Sequence, residues 1–112
     1  MKPLLTKELT SFLKRFGNFV DGEVRSINLA SPSQIKLTLA GQDEARGFDW
    51  LTIELEFDGV SDASLIDSDK LIHIDMLDGL SITNVKQTFS FKINNSTLFI
   101  NSSTIKYQEA NF

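Results

Sequence analysis

The chain has 112 residues, a length that fits a single domain covering residues 1–112. It contains no cysteine, which excludes disulfides and thiolate metal sites and mildly favours the cytoplasm. The first segment, MKPLLTKELTSF, carries charges at Lys7 and Glu8 and has no long apolar run. We therefore expect neither a signal peptide nor a transmembrane helix, and no membrane partner.

The net charge of −4 is distributed unevenly along the chain. Between Asp43 and Asp78 there are eleven acidic residues and two basic ones, so this middle third carries −9 while the rest of the chain carries +5. Such a charge excludes nucleic-acid binding by the middle third and favours a protein partner with basic side chains.

The first predicted element is an amphipathic helix. Apolar side chains recur at spacings of four, three and four residues at Leu5, Leu9, Phe12 and Phe16. One apolar stripe of this kind is typical of a helix that covers a core. The pattern predicts a helix over about residues 3–16, ended by the glycine that follows.

Beyond the helix the apolar period changes to two, which is typical of strands with one buried face. Strands are predicted over residues 22–30, 34–40, 50–58, 70–77, 80–83, 88–93, 97–101 and 104–108. In the first of them Val24 and Ile27 have opposite parity, and a bulge near Arg25 and Ser26 would reconcile them.

Short connections between successive strands favour antiparallel neighbours, and alternation on one face favours a sheet with one buried side. The predicted fold is therefore α+β and mainly β, with an N-terminal helix followed by a curved antiparallel sheet of about seven strands. A closed barrel or a two-layer sandwich is the alternative. We expect residues 60–69 to form a loop and residues 109–112 to fray.

The most informative stretch is FDWLTIELEFDGVSD, from Phe48 to Asp62. Its aliphatic side chains share one strand face, while its carboxylates share the other face with Phe48 and Trp50. A rigid face with aromatic anchors and negative charge is suited to binding a protein. The predicted partner-binding residues are Phe48, Trp50, Glu54, Glu56, Asp58 and Asp62. The competing interpretations are a solvated face and burial of the two aromatic side chains.

No catalytic, cofactor or metal site is predicted. His73 is the only histidine, and although Asp75 shares its predicted strand face, no nucleophile motif accompanies the pair. The six glycines are dispersed and form no phosphate-binding loop. The aspartates between residues 58 and 69 lack the spacing of an EF-hand calcium site.

Three segments together resemble a group of small bacterial proteins: DGEVRSINL at Asp21–Leu29, WLTIELEFDGVSD at Trp50–Asp62 and DGLSI at Asp78–Ile82. The group includes immunity-type proteins of polymorphic toxin systems and related families of unknown function. The resemblance spans roughly residues 19–108. It implies a small, cytoplasmic, non-enzymatic protein that binds and neutralises a cognate toxin. It supplies no catalytic motif and defines no toxin-contacting residues.

Two other function classes stay open. The first is a small-ligand-binding barrel or an enzyme, which would have an open cavity inside the curved sheet lined by Phe89, Phe91, Ile53 and Ile74. The second is a structural or oligomer-forming protein that uses an exposed sheet edge. The sequence does not predict an oligomeric state.

Overall fold

In the computed structural model, which describes residues 1–112, nine strands form two antiparallel sheets. The strands are β1 (Lys2–Pro3), β2 (Glu23–Ser31), β3 (Gln34–Asp43), β4 (Asp49–Asp58), β5 (Asp62–Ser64), β6 (Leu80–Val85), β7 (Thr88–Ile93), β8 (Phe99–Ser102) and β9 (Thr104–Asn111). One sheet has the order β1-β9-β4-β3-β2 and the other the order β5-β8-β7-β6. The fold is α+β and mainly β, as predicted.

The prediction of one curved sheet of about seven strands was wrong, and the strands do not close into a barrel. After β4 the chain leaves the first sheet at Gly59, whose φ of 65° is the left-handed conformation that glycine adopts readily. The strands β5 to β8 then pair among themselves, and only β9 returns to lie between β1 and β4. The strands β4 and β9 are far apart in the sequence, so no local pattern predicts that they pair.

The α-helix α1 is shorter than predicted and covers Leu9–Arg15. Residues before it take other conformations, because Lys2 pairs with Tyr107 of β9 and Thr6–Glu8 form a 3₁₀ turn. The apolar stripe is nevertheless largely as predicted, since α1 buries Leu9 and Phe12 against the sheets.

The first sheet follows the predicted alternation closely at its centre. The register of β2 with β3 shifts between Val24 and Ser26, which confirms the predicted bulge. The strands β3 and β4 pair without interruption from Gln34 opposite Asp58 to Asp43 opposite Asp49. This makes β4 a central strand, with β9 on its other side.

Three further predictions were wrong. Residues 62–64 form β5 rather than loop, and residues 109–111 belong to β9, where Asn111 pairs with Leu51. The predicted strand at 70–77 is a 3₁₀ helix at Ser68–His73 followed by irregular backbone. The apolar alternation there was misleading, because Ile72 is 83% exposed while its neighbour Leu71 is buried.

The core lies between the two sheets and under α1. The rings of Phe57 from the first sheet and Phe91 from the second meet edge to face, with centroids 5.2 Å apart. Ile53 and Phe89 are buried in the same continuous core, whereas Ile74 lies half-buried beside a surface groove. A ligand-binding barrel would have these side chains lining an open cavity. Here they are packed against one another or lie at the surface, so the interior contains no such cavity.

Helices in the structure are all too short to cross a bilayer as an apolar span.

Candidate functional site

The outer face of the five-stranded sheet presents four of the six side chains that the sequence assigned to the binding face, namely Trp50, Glu54, Glu56 and Asp58. Along β4, Leu51, Ile53, Leu55 and Phe57 point into the core and are buried. Trp50 and Glu54 belong to the opposite parity, on the side away from the second sheet and α1. The inner face of the strand is therefore core, and the outer face is open at Trp50 and partly open at Glu54 but buried at Thr52 between them.

An aromatic pair marks one end of this outer face. The ring centroids of Trp50 and Phe112 lie 5.5 Å apart, and Trp50 is 38% exposed. The Arg25 guanidinium lies over the Phe112 ring at 4.3 Å from its centroid, a cation–π contact that links the bulge of β2 to the pair. Trp50 is therefore supported by neighbours at the surface and is not buried in the core.

Phe48 lies just before β4 and is 60% exposed. Its φ of 66° is unusual for a bulky side chain and follows a left-handed Gly47 with φ of 64°. Its backbone N–H donates to the Asp43 carbonyl at 2.8 Å, and the Gln42 amide donates to its carbonyl at 3.3 Å. These bonds hold the turn that leaves the ring in solvent.

The carboxylates of the outer face differ in how far their charge is already balanced. Glu56 has the Lys36 ammonium at 3.9 Å. Asp58 accepts a hydrogen bond from the Gln34 amide at 2.7 Å and has the Lys106 ammonium at 4.0 Å. Glu54 instead accepts from the neutral Gln108 amide and has no basic partner. The outer row of β4 therefore contains both signs of charge when the neighbouring lysines are counted, and Glu54 is the carboxylate in it that has no salt bridge.

The six predicted site residues do not form one patch. Trp50, Glu54, Glu56 and Asp58 share a face of β4, but the eight residues from Trp50 to Asp58 separate their backbones by about 27 Å. Asp62 lies in β5 of the other sheet, opposite Asn101. The structure therefore joins Phe48 and Trp50 at one end of β4 and places Asp62 apart from them.

A second group of charged side chains, not foreseen from the sequence, lies on the inner side of the first sheet. The Arg15 guanidinium donates to both carboxylate oxygens of the fully buried Asp43, from Nε at 2.9 Å and from Nη2 at 2.7 Å. The Ala45 N–H donates to Asp43 at 2.9 Å. Arg15 also approaches Glu109 at 2.6 Å, and Arg46 lies 3.4 Å from Asp43.

The hydrogen bonds from Arg15 hold the pKa of Asp43 below its ordinary value of 3.8, although burial opposes this shift. The same pairing raises the pKa of Arg15. Both groups therefore stay ionised near neutral pH, and each satisfies the other. This pattern fits an ion pair that stabilises the fold, because every strong donor already has an acceptor.

Strand parity was the signal that could have found this group. Asp43 continues the inner row of Leu37 and Leu39, and Glu109 continues the inner row of Ile105 and Tyr107. A carboxylate on an inner row needs a cation nearby, since burying an unpaired charge is costly. The basic last turn of α1 was available to supply it.

The structure has surface clefts but no deep pocket at these residues. A cleft of about 330 Å³ beside Arg15 is lined by Met1, Lys2, Tyr107, Gln108 and Glu109. No three or more histidine, cysteine or acidic side chains cluster closely enough to hold a metal ion. His73 and Asp75 are exposed, and the Asp75 carboxylate accepts from the Leu77 N–H at 2.8 Å.

No protein-family model matches the chain, and comparisons with curated proteins and with solved structures find no similar protein.

Proposed function

We propose that the chain is a non-enzymatic protein-binding module that binds a partner on the outer face of the five-stranded sheet. The partner would place an apolar side chain on Trp50 and Phe112 and a basic side chain on Glu54. The observation that carries the proposal is the exposed aromatic pair formed by Trp50, on the central strand β4, and Phe112, which follows β9. Tryptophan in such a position is a common energetic anchor of protein interfaces.

Rigidity of the strand supports this assignment. Trp50 pairs with Gln42 of β3, and the following Leu51 pairs with both Gly41 of β3 and Asn111 of β9. The ring also packs against Phe112, which restricts its rotamers before any partner arrives. A side chain that is already ordered loses less entropy on binding, so more of its contact energy appears as affinity.

The negative charge of the outer face favours a basic partner, and Glu54 is the carboxylate that such a partner would contact. Glu54 lies four residues along β4 from Trp50, a backbone separation of about 13 Å, which a short peptide segment can span. Because Glu54 has no basic neighbour in the free protein, a lysine or arginine of the partner need not displace one. Glu56 and Asp58 already have lysines within 4.0 Å, so we expect them to contribute less.

Selection from a random displayed peptide library tests the proposal while the natural partner is unidentified. We expect peptides that combine an apolar anchor with lysine or arginine. Trp50→Ala should weaken them about thirty-fold, as expected for a hot-spot residue. Glu54→Lys should weaken them several-fold, and Thr83→Lys, on β6 of the other sheet, should leave binding unchanged. Selected peptides that bind Trp50→Ala as tightly as the wild type would overturn the proposal.

The more specific form of the proposal is a cytoplasmic protein that neutralises a toxin, and its support is the resemblance of the strand and turn segments to immunity-type proteins. Co-expression of the chain with a large protein encoded beside its gene tests this form. Growth should be restored by the wild type and by Thr83→Lys, and lost again with Trp50→Ala. If the neighbouring protein is harmless when expressed alone, the toxin form is rejected while the peptide test still decides protein binding.

A further inference from the structure

The strand β2 forms an open edge of the five-stranded sheet. One side pairs with β3, but the backbone groups of residues 25–31 that point the other way have no hydrogen-bond partner in the chain. Most of these residues are exposed, including Leu29, which is 59% exposed. The 3₁₀ helix at Ser68–His73 lies beside only the first part of β2, along a groove at Gly22 to Val24.

Two of the other three edges of the sheets are better protected, and the third, β6, is shorter than β2, with six residues. The opposite edge of the same sheet, β1, has two residues and includes Pro3, which cannot donate a hydrogen bond. One edge of the second sheet, β5, has three residues. By contrast, β2 has nine residues and contains neither proline nor lysine, and its register with β3 shifts twice, between Val24 and Ser26 and between Leu29 and Ser31, which leaves residues 26–29 as regular open edge.

We propose that β2 pairs antiparallel with β2 of a second copy of this chain, across a two-fold axis at Asn28. Asn28 lies within residues 26–29, the part of the open edge between the two register shifts of β2, so the two-fold axis falls on regular strand. It places Ile27 opposite the partner's Leu29 on the inner face and Asn28 opposite the partner's Asn28 on the outer face. The two five-stranded sheets then continue as one.

The chemistry of the strand fits its own copy. Glu23 and Arg25, its only charged residues, already pair at 3.2 Å, so the edge carries no net charge to repel a second copy of an acidic protein. The same register brings the partner's Pro32 opposite Val24, beside the groove that contains Ile72, which is 83% exposed. Pairing therefore satisfies the open backbone groups and covers apolar surface together.

This inference does not rest on the proposed function, because Trp50 lies two strands away from the edge, although the Arg25 side chain joins the two surfaces through its contact with Phe112. The self-pairing of Asn28 gives a charge-reversal test. We expect the wild type at submillimolar concentration to have twice the 12.6 kDa mass of one chain by light scattering. Asn28→Lys and Asn28→Glu should each be monomeric, because like charges then face each other across the axis, and an equimolar mixture should restore the dimer.

Control variants are Thr83→Lys and Thr83→Glu, at an exposed position on the edge strand β6, and both should retain the wild-type mass. A wild-type mass of one chain overturns the proposal, and so does a dimer that persists in both Asn28 variants. Thermal unfolding confirms that the variants remain folded.

A cysteine variant tests the register without relying on added charge. The chain has no native cysteine, so Asn28→Cys introduces a single thiol that faces its own copy across the axis. We expect mild oxidation to give a disulfide-linked dimer at least ten-fold faster than for Thr83→Cys. Equal rates for the two variants would contradict the proposed register.

Discussion

Two carboxylates on neighbouring strands, Asp43 of β3 and Glu54 of β4, lie on opposite faces of the first sheet and differ in their hydrogen-bond partners. Asp43 faces inward and accepts hydrogen bonds from Arg15 and Ala45, whereas Glu54 faces outward and accepts only from a glutamine. Both belong to the acidic middle third of the chain, so their charge alone does not distinguish them. Strand parity and the cover of α1 decide which one stabilises the fold and which one is free to bind.

The energetic consequences differ accordingly. Removing one member of a buried pair takes the main partner from the other charge where water only partly replaces it, which is among the larger single-residue penalties. Removing an exposed carboxylate changes little, because water already screens its interactions. The contrast between the two carboxylates therefore predicts a graded series of stability changes, beginning at the buried network.

Asp43→Ala should have the largest effect, a loss of about 3 kcal/mol in the free energy of unfolding, because Arg15 loses its main partner and the turn after β3 loses its cap. Chemical denaturation measures this loss. The matched control is Asp49→Ala, because Asp49 lies directly opposite on β4 and is exposed. Its change should stay within about 0.5 kcal/mol. Equal losses for the two variants would show that burial of Asp43 has no structural role.

Arg15→Ala should follow, with a loss of about 2 kcal/mol, since the guanidinium is partly solvated and both Asp43 and Glu109 are left without it. Lys14→Ala, at the exposed neighbouring position of α1, serves as the control. In a double-mutant cycle, Asp43→Ala and Arg15→Ala should destabilise the protein by less than the sum of their separate effects. Additive effects would mean that the two residues act independently.

The pH dependence of stability provides a third test. Because the folded-state pKa of Asp43 lies below its unfolded value of 3.8, its contribution is fully present above that pH and is lost as the pH falls through the lower folded-state value. The difference in unfolding free energy between wild type and Asp43→Asn should be constant near neutral pH and shrink below about pH 4. A difference that grows on acidification would contradict the assignment.

The outer row should show the smallest effects on stability. Glu54→Lys should change the free energy of unfolding by less than about 0.5 kcal/mol, because its charge has no basic partner. Glu56→Lys should cost slightly more, about 1 kcal/mol, since it loses Lys36 and places a third lysine beside Lys36 and Lys106. Thermal unfolding measures both. A larger loss of unfolding free energy for Glu54→Lys would mean that Glu54, like Asp43, stabilises the fold.

Much of the first sheet could be predicted from the sequence because β3 and β4 alternate strictly. The inner row of β4, the pairing of β3 with β4 and the bulge at Arg25 all follow from local parity. The shared parity of Trp50 and the carboxylates follows in the same way, whereas the sequence left burial of its ring open, and the structure shows that the ring is exposed. These features depend on residues close together in the chain, where period and turn chemistry carry the information.

The remaining features depend on tertiary contacts that local patterns do not encode. The insertion of β9 between β1 and β4 joins segments from the two ends of the chain, and it places Pro3, which was predicted to begin the helix, in the strand β1. Ile72, Ile74 and Met76 alternate like a strand, but Ile72 is exposed and its neighbour Leu71 is buried in the core together with Met76. Counting charge in a window likewise failed to show that lysines from β3 and β9 flank the acids of β4.

Trp50 is the only tryptophan of the chain, so its fluorescence reports directly on the proposed binding face. The most direct measurement is acrylamide quenching of Trp50 with and without a peptide selected from the library. The account predicts an emission shift to shorter wavelength and a several-fold lower quenching constant when the peptide is bound, since the indole becomes covered. Tight peptide binding with unchanged quenching would place the partner elsewhere and contradict the account.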